Sequence, residues 1–430
     1  MKAYPEYKES GFDWIGKFPS HWTLCSLGYK SRMIVPMRDK PQEFDGDIPW
    51  IRIEDFNGKY ISGSKSDQKV SETTVVNMNL KVFPVGTVLC SCSCSMGATA
   101  IVSNPLISNQ TFIGIVPNED LHSDYLYYLV QAAKPTLDSL GTGAIQKYLS
   151  RNDFEHFKVA FPLLPEQQAI ADFLDRKTAQ TDALIENKWR QIDLLQEQHT
   201  ALIYHAVTEG LNPDVPMKDL GVEWLDKIPS HWEFVKTKYL FRLVTEKAPD
   251  DNGMELLSLY TEIGVRPRKD LEARGNKAST TDGYWIVKEG DIIINKLLAW
   301  MGAVGYSAYD GVTSPAYDIL RKTVPLNSKF YHYLLRCGIV LPEFKRRSRG
   351  IMEMRLRLYF DELGQIPLVY PPETEQNQIV EYLEDLEENV NRTISKITKE
   401  IELLQEYRTA LISEAVTGKI DVRTAETVHE

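Results

Sequence analysis

The feature that most constrains this chain is that it is written twice. Lys8-Glu-Ser-Gly-Phe-Asp-Trp-Ile-Gly-Lys-Phe-Pro-Ser-His-Trp22 returns as Lys218-Asp-Leu-Gly-Val-Glu-Trp-Leu-Asp-Lys-Ile-Pro-Ser-His-Trp232, at an offset of 210 and with 8 of 15 positions identical. Far downstream, Leu194-Leu-Gln-Glu-Gln-His-Thr-Ala-Leu-Ile203 returns as Leu403-Leu-Gln-Glu-Tyr-Arg-Thr-Ala-Leu-Ile412, and Ala206-Val-Thr208 as Ala415-Val-Thr417, both at an offset of 209. Two distant anchors that keep nearly the same offset mean a duplicated unit of about half the chain. At 430 residues the chain also exceeds what one hydrophobic core usually supports.

Between the anchors the copies diverge but keep a skeleton. Val85-Gly-Thr-Val-Leu89, followed by Met96-Gly97, aligns with Glu289-Gly-Asp-Ile-Ile293, followed by Met301-Gly302. Short β-branched and aromatic runs set between Gly, Pro, Asn and Asp predict strands at Ile48–Ile53, Thr87–Cys92, Thr99–Val102, Tyr284–Val287 and Asp291–Asn295. Ser123–Ala133 and Ser328–Arg336 predict short helices. Each globular part therefore reads as α+β.

The remaining stretches are of another kind. Ile170 to Val207 and Ile379 to Val416 contain neither Pro nor Gly and keep heptad spacing. In the second copy Val390, Ile394, Ile397, Ile401, Leu404, Arg408 and Leu411 fall on alternating steps of four and three. In the first, Thr181, Ile185, Lys188, Ile192, Leu195, His199 and Leu202 hold the same places. That is a coiled-coil seam rather than a broad globular face. A polar residue at one seam position, His199 in one copy and Arg408 in the other, either fixes register or marks where the seam opens. Each helix is entered through prolines and acids, Pro162-Leu-Leu-Pro-Glu-Gln-Gln168 and Pro371-Pro-Glu-Thr-Glu-Gln376, which put carboxylates at the positive end of the helix. The expected fold is two globular α+β domains separated by two long α-helices packed as an antiparallel coiled coil, with a pseudo-twofold internal duplication.

A net charge of −11 argues against a nucleic-acid partner until it is divided along these boundaries. Residues 1–165 carry −1 and residues 217–372 carry +3, whereas residues 166–216 carry −5 and residues 373–430 carry −8. The acidity belongs to the helices. The N-terminus lacks the apolar stretch and small-residue cleavage site of a secretory leader. No run reaches the ~18–20 apolar residues of a membrane span. Five scattered cysteines do not make a disulfide framework and suit a reducing cytoplasm, where the chain is expected to reside without membrane attachment.

Catalytic motifs are missing. There is no Gly-x-x-x-x-Gly-Lys-Ser/Thr phosphate loop and no Gly-x-Gly-x-x-Gly dinucleotide loop. Asn212-Pro213-Asp214 does not complete the Asn/Asp-Pro-Pro-Tyr/Phe motif of an amino-methyltransferase. Pro213-Asp214 and Pro249-Asp250 lack the Glu-x-Lys that a nuclease metal site needs. Cys90, Cys92 and Cys94 would share one face of a strand, but a tetrahedral zinc site is usually built from Cys-x2–4-Cys turns and a distant second pair. The second copy has Ile294, Lys296 and Leu298 at those places, so the cysteines read as a packed strand. His21 and His231 recur without any recurring nucleophile and read as part of a turn. No cofactor, metal or enzymatic activity is expected.

Candidate DNA contacts are basic. In the second copy they are Lys345, Arg346, Arg347 and Arg349, then Arg355 and Arg357, and a further cluster of Arg266, Arg268, Lys269, Arg274 and Lys277. Arginine both grips phosphates and reads guanine with two hydrogen bonds. In the first copy Gln146, Lys147 and Arg151 occupy the region equivalent to 350–357, and Gln146 suits adenine.

The combination resembles the specificity subunit of type I restriction–modification systems. The residues that carry the resemblance are the duplicated openings ending at Trp22 and Trp232, Gly290-Asp-Ile-Ile-Ile-Asn-Lys296, the exits at 162–168 and 371–376, and the paired Leu-Leu-Gln-Glu…Thr-Ala-Leu-Ile helices. The first copy departs from the Gly-Asp-Ile/Val motif, with Gly86-Thr87-Val88 in its place. The resemblance implies target-recognition domains at 1–165 and 212–372, with helical spacers at 166–211 and 373–430. Each domain would read one half of a bipartite site in double-stranded DNA. The helices would set the gap and dock two methyltransferase subunits, and restriction subunits would join that core. The chain itself would be non-catalytic. From Val390 to Ala415 a helix spans ~39 Å at ~1.5 Å per residue, roughly eleven base pairs at ~3.4 Å each. The alternative is a coiled-coil assembly scaffold that reads no DNA.

Overall fold

A computed structural model describes residues 2–36, 40–92, 98–141, 148–222, 224–261, 263–270, 281–351 and 355–423. The chain gathers into two compact units, and neither of them coincides with one of the repeated halves. One holds Met1–Lys188 with Thr398–Glu430, and the other holds Trp189–Ile397. The long helices cause this division. Leu164–Glu209 starts in the first unit and ends in the second, and Glu373–Val416 does the reverse.

Both units are built on the same antiparallel sheet. In the first its order is Ser31–Ile34, Phe112–Pro117, Val88–Ser91 and Thr99–Val102, with Tyr60–Ile61 added in parallel at the edge. In the second the order is Phe241–Val244, Tyr317–Lys322, Ile292–Asn295 and Val304–Tyr306. Val88–Ser91 is buried along its whole length, so both faces are covered and no polar alternation is needed. Cys90 and Cys92 are buried there, Cys92 donating to the Thr111 carbonyl at 3.2 Å, while Cys94 lies outside the described residues.

The strands predicted to start at Thr87 and Asp291 are each shortened by a turn that precedes them. Gly86 and Gly290 adopt the left-handed φ that their turns require, +81° and +92°. Beyond them Thr87 donates its hydroxyl to the Pro84 carbonyl at 2.6 Å, and Asp291 accepts from the Lys288 amide at 2.9 Å. Buried Asp291 also takes both arms of Arg321, at 2.9 and 2.7 Å. Thr87 thus replaces the aspartate of the other copy by a different bond. The strands accordingly begin one residue later, at Val88 and Ile292.

One helix outruns its sequence signal. Ser328–Arg336 has its expected bounds, but Ser123–Leu140 continues through Pro135 instead of stopping at Ala133. An interior proline costs about 3 kcal/mol. Burial of Leu137 beyond it offsets that cost and holds the last turn.

The repeated motifs form the joints between each globular part and the helices. Lys8 Nζ donates to the carbonyls of Ser20 and Trp22 at 2.8 and 2.7 Å. Lys218 repeats this on Ser230, at 3.0 Å, and on Trp232. His21 Nε2 meets Glu166 Oε2 at 2.9 Å, and His231 Nε2 meets Glu375 Oε2 at 2.8 Å, so each histidine ties its turn to the first turn of a long helix. The next residue completes the joint. Buried Gln167 accepts from the His122 amide at 2.8 Å and donates to the carbonyls of Asp120 and Pro162 at 2.9 and 3.0 Å. Buried Gln376 accepts from the Asn327 amide and donates to the Pro371 carbonyl, each at 2.8 Å.

The far ends of the helices close the circuit. Each stops near a glycine with left-handed φ, Gly210 at +80° and Gly418 at +72°. A Cβ on Gly210 would lie 3.2 Å from the Trp232 ring, and one on Gly418 would lie 3.1 Å from Trp22 and only 2.3 Å from Pro19 Cδ. The second helix therefore ends on the N-terminal motif, where Lys419 Nζ caps the carbonyls of Ile15 and Lys17 at 2.8 and 2.6 Å.

Inside each unit the two helices lie together. In the first, Arg408 pairs with Asp182 through bonds of 2.8 and 3.2 Å, and Lys188 with Glu400 at 2.7 Å. Numbers that rise on one helix as they fall on the other make the pairing antiparallel. All the seam positions, Ile185 to Leu202 and Val390 to Leu411, are buried or half-buried. The polar seam residues differ between the units. Arg408 is ion-paired across the seam, whereas buried His199 Nε2 has no hydrogen-bond partner among the described residues and lines a cleft.

Candidate nucleic-acid interface

The basic run of the second copy is divided by its local fold. Leu341–Arg347 is a short helix whose Glu343 is nearly buried and receives Arg346 through two bonds of 2.8 and 2.7 Å. Arg347 also reaches Glu343, at 3.4 Å. The Arg346 bonds hold the Glu343 carboxyl below the usual range, against the opposing effect of burial. Lys345 lies over the Trp300 ring at 5.1 Å. The helix basics are thus largely engaged within the domain.

Past this helix the chain makes a single antiparallel bridge. Arg349 and Arg357 face one another and exchange both backbone bonds, at 2.9 and 3.0 Å. The bridge is fixed by the Leu358 amide on the Lys296 carbonyl at 2.9 Å and by Arg349 on Glu362 at 2.5 Å. Gly350 is sterically required, because a Cβ there would sit 2.5 Å from the Arg355 carbonyl oxygen. Arg355 and Arg357 are exposed and have no carboxylate partner among the described residues. They are the guanidiniums that remain available for phosphate or base.

Among the described residues, the other predicted contacts do not join this group. Lys269 is held by Glu255 at 2.6 Å. Arg268 stands in a 3-10 turn, Arg268–Asp270. Arg266 lines a cleft of about 560 Å³ with His199, His332, Arg336 and Glu387, so it faces the long helices. Burial, with the charges of Arg336, Arg266 and Lys329, pushes the His332 imidazole down to about 3. Its Nδ1 accepts from the Tyr306 amide at 3.2 Å. In the first unit Arg151 opens a short helix and pairs with Glu155 at 2.7 Å. Gln146, Lys147, Arg274 and Lys277 lie outside the described residues. The Leu149 amide bonds the Cys92 carbonyl at 3.1 Å, the counterpart of the Leu358 bond to Lys296, so both copies anchor this region alike.

The helices carry a second repeated surface that charge reasoning overlooks. Within the repeated stretch, Leu194, Glu197 and Ala201 share one exposed face, and Leu403, Glu406 and Ala410 form its copy. Leu194 is 55% exposed and Leu403 52%. The signal was the identity itself, since the seam does not use these residues.

A family model described as the type I restriction modification DNA specificity domain matches residues 35–194 and again 229–403. The chain belongs to this family. The MjaIX specificity subunit of Methanocaldococcus jannaschii is 32% identical over 235 residues, 53% of this chain and 52% of the relative, so the chain spans about half the length of that relative. The MjaVIII specificity subunit of the same organism is 22% identical across 97% of both chains. Two solved structures share the specificity-subunit fold at 15% identity. One, from a study of complex assembly and conformational transition of the type I R-M system, has a TM-score of 0.68 and covers 94% of this chain and 99% of its own. The other, the HsdS subunit from Thermoanaerobacter tengcongensis, has a TM-score of 0.58 and covers 96% and 100%.

Proposed function

We propose that this chain is the DNA-reading, non-catalytic subunit of a type I restriction–modification enzyme. The observation that carries the reading is the double match, one specificity domain in each half. The domain at 1–165 reads one half of a split site and the domain at 212–372 reads the other, and the spacers at 166–211 and 373–430 set the gap. Support comes from Arg355 and Arg357 in the second domain, exposed beside the Arg349–Arg357 bridge and without a carboxylate partner among the described residues. In the first domain the equivalent segment, with Gln146, Lys147 and Arg151, takes the same part.

Two copies of one exposed helix face, Leu194-Glu197-Ala201 and Leu403-Glu406-Ala410, suit two copies of one partner. That partner is the methyltransferase subunit, and restriction subunits join the resulting core. No helix among the described residues is long and apolar enough to cross a membrane. The working compartment in this reading is the cytoplasm. Mapping DNA methylation in cells with and without this gene tests the proposal: a split motif that disappears with the gene supports it. An unchanged methylome, together with no salt-dependent shift of DNA by the chain and its methyltransferase, refutes it.

A further inference from the structure

Past the repeated Trp22 and Trp232 the copies diverge, yet two positions do not. Thr23-Leu-Cys-Ser-Leu-Gly-Tyr-Lys-Ser-Arg-Met-Ile34 corresponds to Glu233-Phe-Val-Lys-Thr-Lys-Tyr-Leu-Phe-Arg-Leu-Val244, and only Tyr29/Tyr239 and Arg32/Arg242 are identical. Folding does not explain the choice. Tyr29 is 78% exposed and Tyr239 60%, and both arginines are exposed, whereas the buried pair Leu27 and Thr237 differs. Neither arginine has a carboxylate partner among the described residues. The backbone presents the pair alike in both copies. The amide of Leu27 bonds the Phe157 carbonyl at 2.8 Å, and that of Thr237 bonds Ile366 at 2.9 Å. The amides of Asn118 and Thr323 then bond the carbonyls of Lys30 and Leu240, each at 2.9 Å. Both arginines follow on the first strand in the order of each sheet, Ser31–Ile34 and Phe241–Val244.

Two diverged domains read different bases, so a pair kept in both meets something common to the two half-sites. That common element is the sugar–phosphate backbone, for which tyrosine hydroxyls and guanidiniums are donors. The placement agrees. Arg242 lies across from Arg321, which holds Asp291, whereas the Arg349–Arg357 bridge is tied to Lys296, further along the same sheet. The separation from Asp291 to Lys296 is ~17 Å at ~3.3 Å per residue, more than the ~12 Å width of the major groove. We infer that Tyr29 with Arg32, and Tyr239 with Arg242, grip the DNA backbone beside each half-site without reading its sequence. This rests on the DNA-reading role proposed above.

The test uses the full chain with its methyltransferase partner, a duplex carrying the mapped motif and a scrambled duplex. Arg32→Ala and Arg242→Ala should each lower the salt slope of binding by about one on both duplexes. The loss of affinity should grow about 3.5-fold as salt falls from 200 to 50 mM. Arg32→Lys and Arg242→Lys should keep the wild-type slope. Tyr29→Phe and Tyr239→Phe should weaken binding to both duplexes about fivefold, the value of one hydrogen bond. The inference is overturned if the alanine variants keep the wild-type slope, if the tyrosine variants bind as wild type, or if either loss is confined to the motif duplex, which describes base reading. Loss of methyltransferase from the alanine variants in native mass measurement also overturns it, since the pair is then a protein contact. A wild-type complex that does not prefer the motif refutes the DNA-reading role instead, whatever the variants do.

Discussion

Gln376→Leu tests the joint between domain and spacer. Its amide is fully buried and joins two backbone groups, accepting from the Asn327 N–H and donating to the Pro371 carbonyl, each at 2.8 Å. Asn327 is also the N-cap of Ser328–Arg336, since its side chain accepts from the Lys329 amide. Leucine nearly matches the volume of glutamine but leaves both backbone groups unpaired. Each buried orphan costs about 1–3 kcal/mol, and the added apolar burial returns part of that, so a loss of about 3 kcal/mol is expected. With a urea slope of about 3 kcal/mol per molar for a unit this large, the midpoint should fall by about 1 M. Urea titration followed by tryptophan fluorescence reads this directly, because buried Trp232 belongs to the same unit. Gln378→Leu, two positions along on the exposed side of the same helix, controls for the substitution itself and should move the midpoint little. Gln167→Leu should act with similar size on the first unit, and the two losses should add. The reasoning fails if Gln376→Leu and Gln378→Leu shift the midpoint equally.

Four further outcomes are expected. His332 is held near 3 when folded and about 6.5 when unfolded, so the unfolded chain binds the extra proton below pH 6.5. Stability is therefore full above that pH and declines as pH falls toward 3, by up to about 2 kcal/mol at pH 5; His332→Asn, which keeps an acceptor for the Tyr306 amide, should flatten this slope in acid titrations. Gly418→Ala meets both a left-handed φ and the Pro19–Trp22 wall and should cost about 3 kcal/mol in thermal melts, whereas Gly221→Ala, with left-handed φ but open space, should cost only about 1. Arg355→Ala and Arg357→Ala should each lower the salt dependence of DNA binding by about one unit of slope, while Arg346→Ala, whose side chain is held by Glu343, should not. Leu194→Arg or Leu403→Arg alone should leave one methyltransferase per chain and both together none, as read by native mass measurement.

What could be read in advance was what repeats or has a period. The duplicated anchors, the heptad seams and the short strands are local patterns, and the Ser328–Arg336 helix kept its predicted bounds because its cap and apolar spacing lie within ten residues. The Ser123–Leu140 helix outran its signal because Leu137 gains from packing that no local rule counts against Pro135. The candidate site was less legible for the same reason. Charge along the chain marked Lys345 to Arg349 as one basic run, but a run does not show which carboxylates fold back onto it. Glu343 and Glu362 engage Arg346 and Arg349, while Arg355 and Arg357 stay exposed.

The sequence by itself determined that this protein has two equivalent halves, each a globular domain with a long seam-bearing helix, because identity and periodicity need no coordinates. Only the tertiary structure decided that neither half is a compact unit. Trp22 packs at the end of the second helix and Trp232 at the end of the first, because the left-handed glycines Gly418 and Gly210 leave room for those rings. The Trp22–Gly418 contact joins residues about 400 apart in the chain, and nothing in a linear pattern records it.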